Sequence, residues 1–491
     1  MTWKKTWFSY FCWACYLLVT GILAMSLLKN EMQQLGMQGM LAGPVAVLLS
    51  FLAGGIVFTV VLVILKHKKK TILPKNVWPA IEGLLFAGLL ATGLLLRLYQ
   101  FPQQMPENIY FDLAKVTADM EPVNIAHGAG RLYVLLLQTL FRLVGNQWMA
   151  GVALQMVLQF ASAILIYCGV RKISSALPAL WTLGFMMLMP SSIEAGFGYH
   201  PIFFYLFLYS LGFCLLAGAL KSYARGGMRK WPAYIGIILL GFYIGFLTYL
   251  DVMGATLLIL CVGLFGLIFP KQEGEVKNGD VLTVGLVAGT LAGLFGCFGL
   301  EGFIGGNGVL SVINTWEWYF MPRAWDMGVY VALKEMLQSH VAAEIILSIG
   351  LVVGVFVFWL RRDKEYQWIW SLMILVAVVF SYSCKAQVYL ERGFLLYLWL
   401  IVGAGCGIRE LFQSKAEEAA EGAYEAQEDT PPVEEPEDQP LTEEKRTVKL
   451  IENPLPLPKR HVKKKMGYRI EVPEEQMCYD IEVDPEDDFE R

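Results

Sequence analysis

The chain of 491 residues is 56% hydrophobic and only 17% charged, and its mean hydropathy is +0.51. A soluble globular protein is about 45–50% apolar and about 25% charged, so the composition excludes an ordinary soluble enzyme. Residues 1–410 hold 28 basic and 20 acidic side chains, whereas residues 411–491 hold 11 basic and 23 acidic ones. No basic patch with interleaved aromatic residues is present, which excludes a nucleic-acid-binding protein.

Apolar segments long enough to cross a bilayer recur along the first 410 residues. One crossing by a helix needs about 20 apolar residues. The sequence predicts twelve such spans, at 7–28, 44–66, 78–98, 147–169, 174–191, 201–221, 231–249, 253–269, 281–300, 340–360, 367–385 and 392–408. The predicted fold class is therefore an all-α polytopic membrane protein with about twelve transmembrane helices.

Basic residues cluster in the loops on one side of these predicted spans. The clusters lie at 67–70, 171–172, 221–230, 271–277 and 361–364. Because Lys and Arg concentrate in cytoplasmic loops, both termini are predicted to be cytoplasmic. We expect a multi-pass protein of the plasma membrane.

The opposite, outer face carries three longer stretches, at 99–130, 301–339 and 385–391. The apolar segment 131–145 follows the first of them and is too short to cross the membrane, since a crossing needs about 20 residues. It is predicted to be a helix that lies in the outer interface.

The last 81 residues differ from the rest of the chain in being acidic and rich in proline. With little apolar surface to bury, 411–491 is predicted to be mostly disordered and cytoplasmic. Its segment 449–461 mixes Pro, Leu and Lys, and is either a linker or a docking peptide for a cytoplasmic partner. The predicted organisation is an extra transmembrane hairpin at 1–77, a membrane core at 78–410 and this tail.

Ionisable residues at the rim of a membrane protein are costly and are therefore candidates for function. The segment 109–120 is predicted to form an amphipathic helix with Asp112 and Lys115 on one face, since they are three residues apart. It is either a solvated helix with ion pairs or the carrier of a general base. His127, Glu194 and His200 are further candidates, with structural hydrogen bonding or helix capping as the alternative.

No His-x-x-His or similar metal motif occurs, which leaves open a divalent cation held by carboxylates. Nucleotide-binding motifs are also absent. An enzyme of this kind would therefore have to use a donor substrate that resides in the membrane.

A series of short motifs runs through 78–408. They are Arg97-Leu98-Tyr99 at the end of a span, an acidic first outer loop, His127-Gly128-Ala129 before Leu132-Tyr133, Met189-Pro190-Ser191 before Glu194 and His200, and Tyr389–Leu396. Together they resemble the protein O-mannosyltransferase and aminoarabinose transferase families, which are multi-spanning glycosyltransferases of the GT-C fold. Those families usually have Asp-Glu where this chain has Asp112-Leu113, and His-Pro-Pro at the His127 motif.

The resemblance implies a GT-C-like membrane glycosyltransferase that takes a sugar from a polyprenyl phosphate in the outer leaflet. The acceptor would be a glycan, a lipid or a protein. Asp112 matches the acidic residue of the family's first loop and is the implied catalytic base, while Arg392 matches the last-turn arginine and is the implied phosphate partner. Lys385 and Arg323 are alternative cations from the sequence alone.

Two other function classes remain open at this point. About twelve spans also suit a lipid or solute transporter, although transporters usually show repeated halves and charges near the membrane midplane. A non-catalytic membrane scaffold with a docking tail is the third possibility.

Overall fold

The computed structural model describes residues 78–104, 109–115, 129–224, 231–263, 278–304, 306 and 308–313, together with positions 10, 14, 17, 52, 55, 56, 60, 352, 353, 356, 395, 398–403 and 405. All regular structure in these ranges is helical. The predicted spans at 7–28, 44–66, 340–360 and 367–385 lie largely or wholly outside the described residues, and so does the whole tail.

The structure describes ten α-helices, which follow one another along 78–304 with gaps at 105–108, 116–128, 225–230 and 264–277. They are α1 (Trp78–Tyr99), α2 (Ile109–Ala114), α3 (Ala129–Val144), α4 (Trp148–Ile173), α5 (Ala176–Leu188), α6 (Pro190–Ala195), α7 (Pro201–Ala224), α8 (Trp231–Leu250), α9 (Ala255–Gly263) and α10 (Asn278–Ile304). Five of them, α1, α4, α7, α8 and α10, are long and apolar enough to cross a membrane. The described part of the chain is therefore an all-α, membrane-embedded body.

Two polar contacts fix the relative direction of α1 and α4. Near the start of α1, the buried Glu82 binds Arg171 near the end of α4, with 2.7 Å between Oε2 and Nη2. Near the end of α1, the Arg97 Nε donates to Gln159 Oε1 in the middle of α4 at 2.9 Å. The two helices are therefore antiparallel, as consecutive predicted spans require.

Helices α4 and α7 run in the same direction. The Tyr199 hydroxyl, just before α7, donates to the carbonyl oxygen of Trp148 at the start of α4 at 2.5 Å. Further along both helices, the Lys172 ammonium lies 3.5 Å from the Cys214 sulfur. The segment between them, which contains α5 and α6, returns the chain across the body.

Helices α8 and α10 approach each other backbone to backbone through glycines spaced four apart. A Cβ atom added at Gly241 would lie 2.4 Å from the carbonyl oxygen of Leu286, and one at Gly245 would lie 2.2 Å from that of Thr290. This order of contacts makes α8 and α10 parallel. Such close packing of small residues is typical of helices within membranes.

We expect Gly245→Ala to destabilise the protein, because its methyl group would force α8 away from the Thr290 carbonyl. Overpacking of this kind costs about 1–3 kcal/mol. Gly236→Ala on the same helix is the control, since nothing lies within 4 Å of a Cβ there. Thermal unfolding in detergent measures the difference, and equal midpoints for the two variants would contradict the close-packed interface.

The predicted single span at 174–191 is wrong in detail. Helix α5 ends at Leu188, Met189 is extended, and the short helix α6 begins at Pro190. Proline has no N–H to continue a helix and disfavours the helical conformation of the residue before it. The break leaves the last carbonyl groups of α5 without helical partners.

Helix α3 has the length that was expected of an interfacial segment. It spans 16 residues and buries one side, including Tyr133, Leu137 and Phe141. It ends because Gly145 takes a left-handed conformation, with φ of 85°, and donates its N–H to the Phe141 carbonyl at 2.8 Å. Its location in the membrane interface stays a prediction.

Candidate functional site

A fully buried arginine joins three helices beside the break between α5 and α6. The Arg97 Nη1 donates to the carbonyl oxygens of Met187 at 2.9 Å and Gly93 at 3.0 Å, while Nε binds Gln159. The guanidinium carbon also lies 5.3 Å from the centre of the Phe160 ring. Within the described ranges, no carboxylate pairs with Arg97.

The charge of Arg97 is instead balanced by the end of α5. The carbonyl groups of a helix's last turn carry partial negative charge and lack intrahelical donors. Arg97 binds two of them, at Met187 and more distantly at Met186, and the Ser192 hydroxyl also donates to Met186 at 3.1 Å. Arg97 is therefore a structural residue that caps α5 from a neighbouring helix.

A cavity of about 20 Å³ adjoins this network. Its walls are formed by Gln159, Met186, Met187, Ser192, Phe203, Leu206 and Leu398. A cavity needs about 10–15 Å³ to hold one water molecule. There is consequently room for a single water and none for a sugar or a lipid headgroup.

Asp112 lies on α2 and forms an ion pair with Lys115. The Asp112 Oδ1 lies 2.6 Å from Lys115 Nζ, so the prediction that they share one face is confirmed. The Asp112 side chain remains 63% exposed. Helix α2 ends at Ala114 rather than continuing to 120, and 116–120 lie outside the described residues.

Aromatic contacts hold α2 against the loop that precedes α7. The Phe111 ring centre lies 5.4 Å from that of Tyr199 and 5.5 Å from that of Phe141 on α3. The rings of Tyr110 and Tyr133 are 6.1 Å apart. We call this end of the body, with α2, α3, the 196–200 loop and the adjoining helix ends, the α2 end.

His200 lies in the same loop and is held through its backbone. The Gln155 side chain donates to the His200 carbonyl oxygen at 2.9 Å and accepts a hydrogen bond from the Tyr133 hydroxyl at 2.7 Å. Burial lowers the pKa of the half-buried imidazole. The lowered pKa favours the neutral form of the His200 imidazole, which makes no hydrogen bond with a described residue.

Glu194 does not join this arrangement. Its side chain is exposed on α6 and forms no ion pair with His200 or with another described residue. The structure thus brings Asp112 and His200 onto neighbouring elements and leaves Glu194 apart from them.

A second cluster of polar side chains lies at the α2 end, near the C-terminal ends of α8 and α10. The Tyr249 hydroxyl donates to Glu301 Oε2 at 2.5 Å. Asp251 is buried and accepts a hydrogen bond from the Met253 N–H at 2.8 Å. The candidate residues predicted from the sequence did not include this Tyr249–Glu301 pair.

One signal for Glu301 was present in the sequence. It is the first charged residue after the long apolar run of α10, and a charged residue in this position marks the place where the helix reaches the membrane surface.

The other predicted site residues, His127, Arg323, Lys385 and Arg392, lie outside the described residues. The expected meeting of Asp112 with Arg392 therefore stays a prediction. Within the part of the chain that the structure describes, no group of three or more His, Cys, Asp or Glu side chains is placed to hold a metal ion.

No protein-family model and no curated protein matches this chain. The likeness to GT-C glycosyltransferases therefore depends on the sequence motifs alone.

Proposed function

We propose that this protein is a membrane glycosyltransferase that moves a sugar from a polyprenyl-phosphate donor to an acceptor on the outer face. The observation that carries the proposal is the packing of α2 on the loop before α7. Through the contact of Phe111 with Tyr199, the exposed carboxylate of Asp112 and the neutral imidazole of His200 lie on adjacent elements. Both lie where membrane-crossing helices begin.

The residues suit a displacement at the anomeric carbon of the donor. The acceptor oxygen forms a bond to that carbon, and the bond from carbon to the phosphate oxygen breaks, with its electron pair leaving on phosphate. Phosphate departs as a stable anion, so only the acceptor's proton needs a base. Asp112 takes this proton, and such a base contributes about 100- to 10,000-fold to the rate.

His200 and the cations have supporting roles in this proposal. The neutral imidazole of His200 binds a hydroxyl group of the sugar or acceptor, because one ring nitrogen donates and the other accepts a hydrogen bond. A guanidinium stabilises the developing charge on phosphate. The family motif assigns that role to Arg392.

The test compares cells that lack the gene with cells complemented by the full chain. We expect the deletion to remove one class of cell-surface glycan and to accumulate its polyprenyl-phosphate sugar, both measured by mass spectrometry. An unchanged glycan profile would overturn the proposal. Complementation with residues 1–410 separates a scaffold from an enzyme, since a scaffold that acts through the tail would not be restored.

One observation favours a transporter as a second candidate. Helices broken inside the membrane and buried charges are features of transporters, and the break between α5 and α6 lies beside Arg97. The adjoining cavity holds only a water molecule. Movement of a labelled lipid across liposomes containing the purified protein, with an unchanged glycan profile in the deletion strain, would favour this function.

A further inference from the structure

We infer that the groove between α4 and α7, at the end of the body opposite the α2 end, binds an anionic phospholipid through the ammonium group of Lys172. The lysine holds the lipid phosphate, and an acyl chain follows the groove toward the middle of the membrane. The inference does not depend on the proposed function, because it concerns residues at the other end of these helices.

The ammonium group of Lys172 lies between α4 and α7. Its Nζ is 3.4 Å from the carbonyl oxygen of Cys214 and 3.5 Å from the Cys214 sulfur. A Cβ atom built at Gly218, one turn further along α7, would lie 3.6 Å from the same Nζ. The Lys172 side chain therefore turns back along α4, as helical side chains do, and places its charge beside α7.

No carboxylate in the described part of the chain neutralises Lys172. The preceding residue differs, because the Arg171 guanidinium binds Glu82 with 2.7 Å between Nη2 and Oε2. Lys172 is exposed, and an ammonium group has three N–H donors, of which the two contacts with Cys214 use at most two. At least one donor is therefore available to an anion from outside the protein.

Lys221 adds a second positive charge to the same face of α7. Cys214, Gly218 and Lys221 are spaced four and three residues apart, so they lie on one face of this helix. The Lys172 ammonium contacts that face at Cys214 and Gly218. Among the described residues no carboxylate pairs with Lys221 either, so this groove attracts an anionic group.

The depth of Lys172 in the membrane matches that of lipid phosphates. Helix α4 spans 26 residues, about 39 Å at 1.5 Å per residue, whereas the hydrocarbon core is about 30 Å thick. Helix α4 begins at the α2 end and Lys172 is its next-to-last residue, so this lysine lies in the headgroup layer of the opposite leaflet. The basic loops predict that this leaflet is the cytoplasmic one, which carries anionic lipids.

Apolar and small side chains lead from Lys172 toward the middle of the membrane. The two helices touch at the base of the groove, since a Cβ atom at Gly169 would lie 3.5 Å from the Cys214 Cα. Beside this contact, residues three or four apart are only half-buried, namely Ala161, Leu165 and Cys168 on α4, and Phe207, Leu211 and Cys214 on α7. A positive charge at one end of apolar walls matches a phospholipid and not a free anion.

Native mass spectrometry of the full chain, released from detergent micelles, measures the binding. The probes are phosphatidylglycerol and phosphatidylcholine with the same dioleoyl chains, of which only the first has a net negative charge. We expect phosphatidylglycerol to bind more tightly, and Lys172→Gln to weaken its binding by about five- to tenfold. Lys115→Gln is the matched control, since it removes one positive charge at the α2 end, and we expect it to leave the affinity unchanged.

Gly218→Leu tests the groove without changing the charge. The new side chain would occupy the space beside the Lys172 ammonium, which is the only group within 4 Å of a Cβ at this position. We expect weaker binding of phosphatidylglycerol and an unchanged unfolding midpoint in lipid-free detergent. Gly88→Leu on α1 is the size-matched control, since nothing lies within 4 Å of a Cβ there.

Four results would overturn the inference. They are equal binding of the two lipids by the wild type, wild-type affinity in Lys172→Gln, equal losses in Lys172→Gln and Lys115→Gln, and wild-type binding by a folded Gly218→Leu protein. Glycerol 3-phosphate, which has a phosphate but no acyl chains, is expected to compete poorly. Equal competition by it would also reject the phospholipid, because the lysines would then bind a free anion.

Discussion

Replacing Asp112 by Asn is expected to reduce sugar transfer by about 100- to 10,000-fold, the range that a general base contributes. Asparagine has nearly the shape of aspartate but cannot take the proton of the acceptor hydroxyl. Folding is expected to remain unchanged, because an exposed ion pair contributes only about 0–1 kcal/mol to stability. The measurement is the amount of cell-surface glycan at equal protein level in the complemented deletion strain.

Lys115→Gln is the matched control for Asp112→Asn. It breaks the same ion pair and leaves the carboxylate in place. We expect near-normal transfer from this variant. Equal losses in the two variants would show that the ion pair matters and the base does not, and normal transfer by Asp112→Asn would reject Asp112 as the base.

Replacing Arg97 by Leu is expected to produce the largest loss of stability. It leaves the Gln159 side chain and the carbonyl groups at the end of α5 without their donor. Each buried acceptor that loses its partner costs about 1–3 kcal/mol, so a total loss of about 3–5 kcal/mol is expected. Thermal unfolding in detergent, and the fraction that elutes as a single folded species, measure the effect.

Lys221→Leu provides the comparison for Arg97→Leu, since it also replaces a cation by leucine near the end of a membrane-crossing helix. We expect it to be nearly neutral. Arg97→Lys should fall between the two, because one ammonium group cannot reach Gln159 and both carbonyl groups in the arrangement that the fork of arginine allows. An Arg97→Leu protein with a wild-type midpoint would contradict the structural role of this residue.

The helices of the described region were predictable because apolar run length alone predicts a membrane-crossing helix. The predicted spans at 78–98, 201–221 and 231–249 each lie within a few residues of α1, α7 and α8. The end of α5 was misplaced, because hydropathy takes no account of the missing N–H at Pro190. The spacing of the glycines on α8 and α10 can also be read from the sequence. The sequence does not show, however, that these two helices pack against each other.

The candidate site was predictable only where its contacts are local. Asp112 and Lys115 share a face because they are three residues apart on one helix, and the structure confirms their ion pair. The sequence marked Arg97 as the first residue of a motif at the end of a span, without indicating that it is fully buried. Its partners on α4 and α5 come from distant segments, so their meeting depends on how the helices pack.

By itself the sequence determined that this protein is membrane-embedded and all-α, because the length of an apolar run and the hydrogen bonding of a helix are local properties. It also determined the ion pair on α2. Only the tertiary structure decided that Arg97 caps α5 and that the Tyr249 hydroxyl binds Glu301. These contacts join helices whose directions and neighbours are set by side-chain packing, which no single segment encodes.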